Sequence, residues 1–416
     1  MKVKLVYPKW PKLPHQPEFH LPPHGPVVFA ATLPPFVEIE FVDENVEPLH
    51  FSGDAELVFL SVMLTCQVPR AIEIADAFRQ TGRTVICGGI ATHLHAQEMQ
   101  AHADSVFLGE AEGRMEGLIQ DYRAGTLRPL YDYGGQFPDM ARIGPARRDI
   151  LNRRHYEFRG VQMVDLFHAS RGCRFNCFPC CTPYLGGRQF RPRPIDQAIA
   201  EMEGIRNNRL FIVDNSLAQD DEWEKALFRE MIPLKKKWVS HPIKDDPEIL
   251  DLAVEAGAWY VYQAIIDTSD YIRRRVRHYK ERGIGVEGTI ILGTDEHDED
   301  SIRRLVDFLL EIELDLAEFT ILTPFPHSRI YTDLETQGRI LHKDWRRYTA
   351  GECVFQPRHM SPARLEEMYE YAWETFYANC SKEIQMAKLY LQVMKREKQD
   401  GTFQRYDLTR KGKWGQ

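Results

Sequence analysis

Four cysteines crowd into the segment Ser170-Arg171-Gly172-Cys173-Arg174-Phe175-Asn176-Cys177-Phe178-Pro179-Cys180-Cys181. Cys173, Cys177 and Cys180 follow a Cys-x3-Cys-x2-Cys spacing. A [4Fe–4S] cluster is normally held by four thiolates. A loop that offers three can bind three irons and leave the fourth open to a small molecule. Thiolates need nearby positive charge, which Arg171 and Arg174 supply. A structural zinc site is the plainer alternative, but it usually takes two spaced ligand pairs, and no second Cys/His pair with zinc-knuckle spacing stands out. Cys181 adjoins Cys180, and adjacent cysteines are awkward co-ligands, so it reads as a neighbour.

The chain has 416 residues and eight cysteines, the other four scattered singly at 66, 87, 353 and 380. A disulfide framework does not fit that pattern. Lys+Arg number 53 against 61 Asp+Glu, a net charge of −8 that gives no support to a nucleic-acid surface. With 43% hydrophobic and 27% charged residues, the composition is that of a soluble globular protein. No run of about 18 apolar residues is present, and Met1–Pro8 is too short an apolar stretch for a signal peptide. No integral membrane segment is expected, and the expected location is cytoplasmic.

Two βα series must position the cysteines. Short apolar runs at 3–7, 37–42, 57–60, 84–87 and 105–108, with a helical pattern at 71–80, predict a Rossmann-like, doubly wound α/β domain over 1–130. Gly88, Gly89 and Gly109 follow its strands, where glycine lets the backbone approach a large ligand. Gly, Pro and Arg dominate a linker at 131–155. A second series has strands at 161–169, 210–213, 238–240, 260–266, 286–292 and 319–322, and helical patterns at 195–205, 223–235, 247–255 and 298–312. Six units predict a partial TIM-like (β/α)6 barrel over 156–330. The cysteine segment leaves its first strand, on the face where barrels place chemistry. Residues 331–416 read as a mainly helical extension. Its basic tail (Lys395, Arg396, Lys398, Arg405, Arg410, Lys411, Lys413) could dock an acidic reductant.

Cys-x3-Cys-x2-Cys after a first barrel strand resembles the radical S-adenosylmethionine (SAM) superfamily. Behind an N-terminal doubly wound domain, it resembles the branch with a cobalamin (B12)-binding domain, which includes bacteriochlorophyll and hopanoid pathway enzymes. The matching stretches are Leu21-Pro22-Pro23, Val42-Asp43-Glu44, Ser61-Val62-Met63, Cys87-Gly88-Gly89, Leu108-Gly109-Glu110-Ala111-Glu112, Phe211–Asn215, Gly288–Gly293 and Leu322–Ser328. The resemblance implies that Cys173, Cys177 and Cys180 hold a [4Fe–4S] cluster whose open iron chelates SAM. Reductive cleavage of SAM then yields a 5′-deoxyadenosyl radical. It implies SAM contacts at Phe178, Asp214, Gln263, Gly288, Leu292, Gly293 and Thr323, and cobalamin contacts at Ser61, Met63, Gly88, Gly89, Gly109 and Glu110. Two positions depart from the pattern: Pro179 stands where an aromatic residue is usual, and Gln263–Asp267 replaces Gly-x-Glu-Ser. His93 and His95 lack the Asp-x-His-x-x-Gly context of a cobalt ligand and read as surface polar residues.

The expected activity is methyl transfer to an unactivated carbon of a small, hydrophobic or ring-bearing metabolite, with flavodoxin or ferredoxin as reductant. Cyclisation or oxidation of the tetrapyrrole type is the alternative, and a non-catalytic metal-binding protein a third reading. Arg191 and Arg193 read as candidates for a substrate carboxylate or phosphate, or as solvated arginines. Tyr184, Gln189, His241 and Thr323 are candidate pocket residues.

Overall fold

The computed structural model describes residues 1–16, 20–158 and 160–405, with Asp407 and Thr409. Arg410, Lys411 and Lys413 of the basic tail lie outside the described residues. The first sheet comprises β1 (Lys2–Tyr7), β2 (Glu38–Asp43), β3 (Leu57–Ser61), β4 (Thr84–Gly88), β5 (Ser105–Leu108) and β6 (Leu130–Asp132). Its order is β2-β1-β3-β4-β5-β6, and every pairing is parallel. The order reverses between β1 and β3, the switch point where such sheets open a ligand crevice. Strand alternation divides the core. Val58, Leu60, Val85 and Cys87 pack under helix α2 (Val68–Gln80). Leu5, Phe59, Ile86 and Phe107 face the opposite side, toward α1 (His24–Ala30) and α3 (Met115–Arg123). Sequence periodicity gave no sign of β6, because three residues with only Tyr131 buried are too short to show alternation.

The second sheet, β7 (Asp165–Phe167), β8 (Arg209–Ile212), β9 (Lys237–Ser240), β10 (Ala258–Ala264), β11 (Gly285–Leu292) and β12 (Leu316–Ile321), pairs each strand with its sequence neighbour. All the pairings are parallel, as the partial barrel required. Helices α4 (Ile195–Gly204), α5 (Asp221–Met231), α6 (Pro247–Glu255), α7 (Asp270–Glu281) and α8 (Glu299–Glu311) cover its outside. Asp caps start α5, α6 and α8, and Ser269 starts α7, each accepting a backbone N–H. The extension adds α9 (Pro362–Phe376) and α10 (Lys382–Asp400).

Helix α10 closes the end of the barrel away from the cysteines. Leu389 and Val393 pack against Trp259, Tyr260 and Leu316. Arg209 and Glu397, both 0% exposed, form a two-pronged ion pair with distances of 2.7 and 2.8 Å. Arg396 donates to the carbonyls of Ala258 and Gly283, and Lys398 lies over the Phe403 ring. Arg396 is therefore engaged with the chain's own backbone.

Candidate functional site

The cysteine loop is built between two short strands. Ser170–Arg171 pairs antiparallel with Arg191–Pro192, and the chain between them carries the cysteines and a short helix, Thr182–Leu185. Gly172 makes the entry turn at φ +73°, with Gln189 O only 2.2 Å from where a Cβ would stand. Any side chain there strikes backbone. Gln219, fully buried, straps the loop from below. Its Oε1 accepts from Arg174 N at 2.9 Å, and its Nε2 donates to Gly172 O at 3.3 Å. Asp214 ties the preceding strand end, accepting from Ala169 N at 2.7 Å and from the Ser170 hydroxyl. Sequence reasoning missed Gln219 because a glutamine in a βα loop carries no spacing signal.

Cys173 is buried, while Cys177 and Cys180 are exposed. Burial, then the neighbouring Cys180 and Cys177, raise the Cys173 thiol. Thr182 N donates to Cys180 Sγ at 3.4 Å. Among the described residues no three His, Cys, Asp or Glu side chains meet closely enough to hold one metal ion.

A cavity of about 420 Å³ lies between the cysteine loop and the first sheet. Its deep part is an apolar slot between the sheet face (Leu5, Phe59, Ile86, Phe107) and helices α1 and α3. At its mouth stand Ser61, Gly88, Gly89 and Glu110 from one domain, and Gly172, Thr182, Val213 and Asn215 from the other. His24 and His168 also line it, their rings joined Nε2 to Nδ1 at 2.8 Å. His24 Nδ1 and His168 Nε2 are buried without a protein partner. Burial and the guanidinium groups of Arg148, Arg171 and Arg193 push His24 down to about 3, so the pair is neutral. Neither histidine had a motif to announce it.

The structure redistributes the other sequence candidates. Glu110 and Arg191 are spent on each other, so neither is free for an outside ligand. Arg193 is buried and donates to Glu201 and His168 O, not to solvent or substrate. Gly89 and Gly109 have positive φ, and added Cβ atoms there would meet Val62 O at 2.5 Å and Tyr133 O at 2.7 Å. Their close approach is thus to neighbouring loops. Met63 is exposed and accepts from Tyr7 OH. Asp214 has both oxygens engaged. Gln263 shares the face of Val261 and Ile265, and Gly288 packs on Leu314 and Ile265. Both therefore turn toward the helix layer and away from the barrel interior. Leu292 is core, Gly293 abuts Leu365, and the Thr323 hydroxyl donates to Ile321 O. Phe178 is 54% exposed beside the cysteines. His95 is buried against Thr65 and Trp345, contrary to a surface role, and His93 is half-buried against Tyr184. Tyr184 stacks on His327 at 5.1 Å, His241 packs near Phe211 and Tyr262, and Gln189 is exposed.

The site thus defines a two-domain α/β protein in which a Rossmann-like sheet edge faces a three-cysteine loop at the mouth of an open parallel barrel. No family model matches the chain. Bacteriochlorophyllide d C-8(2)-methyltransferase of Chlorobaculum tepidum is 25% identical over 87% of this chain and 86% of its own length. The structure of TsrM, a radical SAM methyltransferase from Kitasatospora setae with cobalamin and a [4Fe–4S] cluster bound, superposes with a TM-score of 0.64. It is 17% identical over 92% of this chain and 91% of that one. The cobalamin-dependent radical SAM enzyme OxsB, at 13% identity, covers 95% of this chain and 71% of its own, with a TM-score of 0.63. These similarities agree with the resemblance to the cobalamin-binding-domain branch of the radical SAM enzymes that the motifs implied.

Proposed function

We propose that this chain is a cobalamin-dependent radical SAM methyltransferase acting on an unactivated carbon of a small, hydrophobic or ring-bearing molecule. The observation that carries this reading is the cavity shared by the cysteine loop and the first sheet. Cys173, Cys177 and Cys180 would hold the [4Fe–4S] cluster, with SAM beside them at the barrel mouth near Val213 and Asn215. Cobalamin would lie along the sheet edge at Ser61, Gly88 and Gly89. The residues suit that ligand: the slot accepts a flat apolar ring, and the unpartnered nitrogens of His24 and His168 await polar groups. When bound, the cluster supplies the electron that cleaves SAM, and cobalamin supplies a methyl carrier.

The chain's own residues hold geometry. Gln219 and Asp214 fix the cysteine loop, and apolar walls line the shared cavity beside it. Phe211, His241 and Tyr262 form an aromatic lining inside the barrel, suited to a ring-bearing substrate. No described helix is long and apolar enough to cross a membrane. A cytoplasmic location and a flavodoxin- or ferredoxin-type reductant complete the proposal.

Anaerobic reconstitution with iron, sulfide and hydroxocobalamin is expected to give a brown protein that forms 5′-deoxyadenosine from SAM on reduction with dithionite. Cys177→Ala is expected to abolish it, and cleavage retained in that variant would sink the enzyme reading. With a chlorophyllide offered as probe, equal S-adenosylhomocysteine and 5′-deoxyadenosine mark methyl transfer. 5′-Deoxyadenosine alone, alongside a cyclised or oxidised product, overturns it.

A further inference from the structure

Both ends of the cysteine loop are fastened to one carboxylate of the other domain. The loop leaves and returns through the Ser170–Arg171 and Arg191–Pro192 ladder, and one arginine from each strand reaches Glu110. Arg171 Nη1 donates to Glu110 Oε2 at 2.7 Å, and its Nη2 donates to Glu112 Oε1 at 2.6 Å. Arg191 Nη1 donates to the same Glu110 Oε2 at 3.2 Å, while its Nη2 pairs with Oε1. Behind them, the Arg191 guanidinium lies 4.3 Å from the centre of the Phe137 ring, and Arg114 holds the Glu110 carbonyl at 2.8 Å. Two arginines and two glutamates, none more than 19% exposed at the side chain, are thereby neutralised at the domain boundary.

Such a group is poor value as a stability device, since buried ion pairs roughly cancel their own desolvation while breaking one is costly. Its effect is directional instead. Bidentate guanidinium–carboxylate contacts set orientation as well as distance. The turn that bears Glu110 cannot slide, because Gly109 is already against the Tyr133 backbone. That same turn lines the shared cavity through Glu110 and Ala111.

We propose that Glu110, with Glu112 in support, is a positioning residue that sets the separation and orientation of the cysteine loop relative to the first sheet's ligand edge. Under the proposed function, on which this consequence rests, Glu110 keeps the radical source and the methyl carrier in register. Glu110→Gln places an amide N–H against one of the two guanidinium groups and so loosens one end of the loop.

The test has two arms. In the purified full-length chain, hydrogen exchange of residues 172–190 is expected to quicken about tenfold in Glu110→Gln, the equilibrium shift that about 1.4 kcal/mol produces, with α5 to α8 unchanged. In protein loaded with iron, sulfide and hydroxocobalamin, reducing the cluster is expected to broaden the cob(II)alamin paramagnetic signal in the wild type and to broaden it less in the variant. Wild-type exchange together with wild-type broadening in Glu110→Gln overturns the proposal. Should that variant not fold, Glu112→Gln, which removes one of Arg171's partners only, decides by the same readings. A wild type that takes up neither cluster nor cobalamin defeats the functional reading instead, and the exchange arm still decides the clamp.

Discussion

Asp214 shows how much the site asks of a single side chain. It follows β8 closely, yet both its oxygens serve the stretch just after β7, at Ala169 N and the Ser170 hydroxyl. Burial pushes its carboxyl up to about 7 from 3.8. A folded-state value above the unfolded one means that the folded protein holds this proton more tightly. The stability it contributes is complete below about 3.8 and is lost as pH rises through about 7. Asp214→Asn is therefore expected to flatten the dependence of Tm on pH between about 4 and 7, measured on the cofactor-free protein by calorimetry. Identical slopes for the variant and the wild type would show that the carboxyl does not titrate there. His24 presents the complementary case, a base kept neutral by burial beside three arginines, so its pair with His168 offers hydrogen bonding without added charge.

Among the elements, α10 was legible as a helix, but its destination was not. Its basic residues suggested a docking surface because a sequence shows charge without showing partners. In the fold, Glu397 enters the barrel floor to meet Arg209, and Leu389 fills the space left by Gly285, whose Cβ would stand 2.5 Å from Leu389 Cδ2. Glu397→Ala leaves a buried guanidinium uncompensated and is expected to cost about 3–5 kcal/mol in urea unfolding. Replacing both partners, Arg209→Met with Glu397→Leu, is expected to recover most of that loss, because an apolar pair needs no compensation. A single variant within about 1 kcal/mol of wild type would show that the pair is solvated, as exposed salt bridges are. The same limit applies to Gln263 and Gly288. Their strands were read from apolar runs, but which face each residue takes depends on where the helices pack.

For the whole molecule, the two domains share more than the cysteine clamp. Tyr156 OH donates to Asp43, Arg148 of the linking segment meets Glu201 at 2.7 Å, and Trp345 Nε1 from the extension reaches Glu98 at 2.9 Å. A ligand in the shared cavity touches residues of both domains. Hydroxocobalamin at 100 times its Kd is expected to stabilise the cobalamin-free chain by about 2.7 kcal/mol in a single cooperative transition. Two separated transitions, of which only the lower responds, would show that the cavity belongs to one domain alone.

The sequence by itself determined the local chemistry and the order of elements. Cysteine spacing needs only the covalent chain, and apolar runs closed by Gly or Pro mark buried parallel strands wherever they occur. Thus the three cysteines, both βα series and the helices at 195–205 and 247–255 could be read directly. Tertiary structure alone decided what the polar residues do. Glu110 and Arg191 look like ligand-binding groups until the fold places them in contact, and His24 and His168 acquire meaning only when residues 144 positions apart come within 2.8 Å. Charge and hydrogen-bonding capacity are properties of a residue, but their satisfaction is a property of its neighbours, and folding alone chooses those.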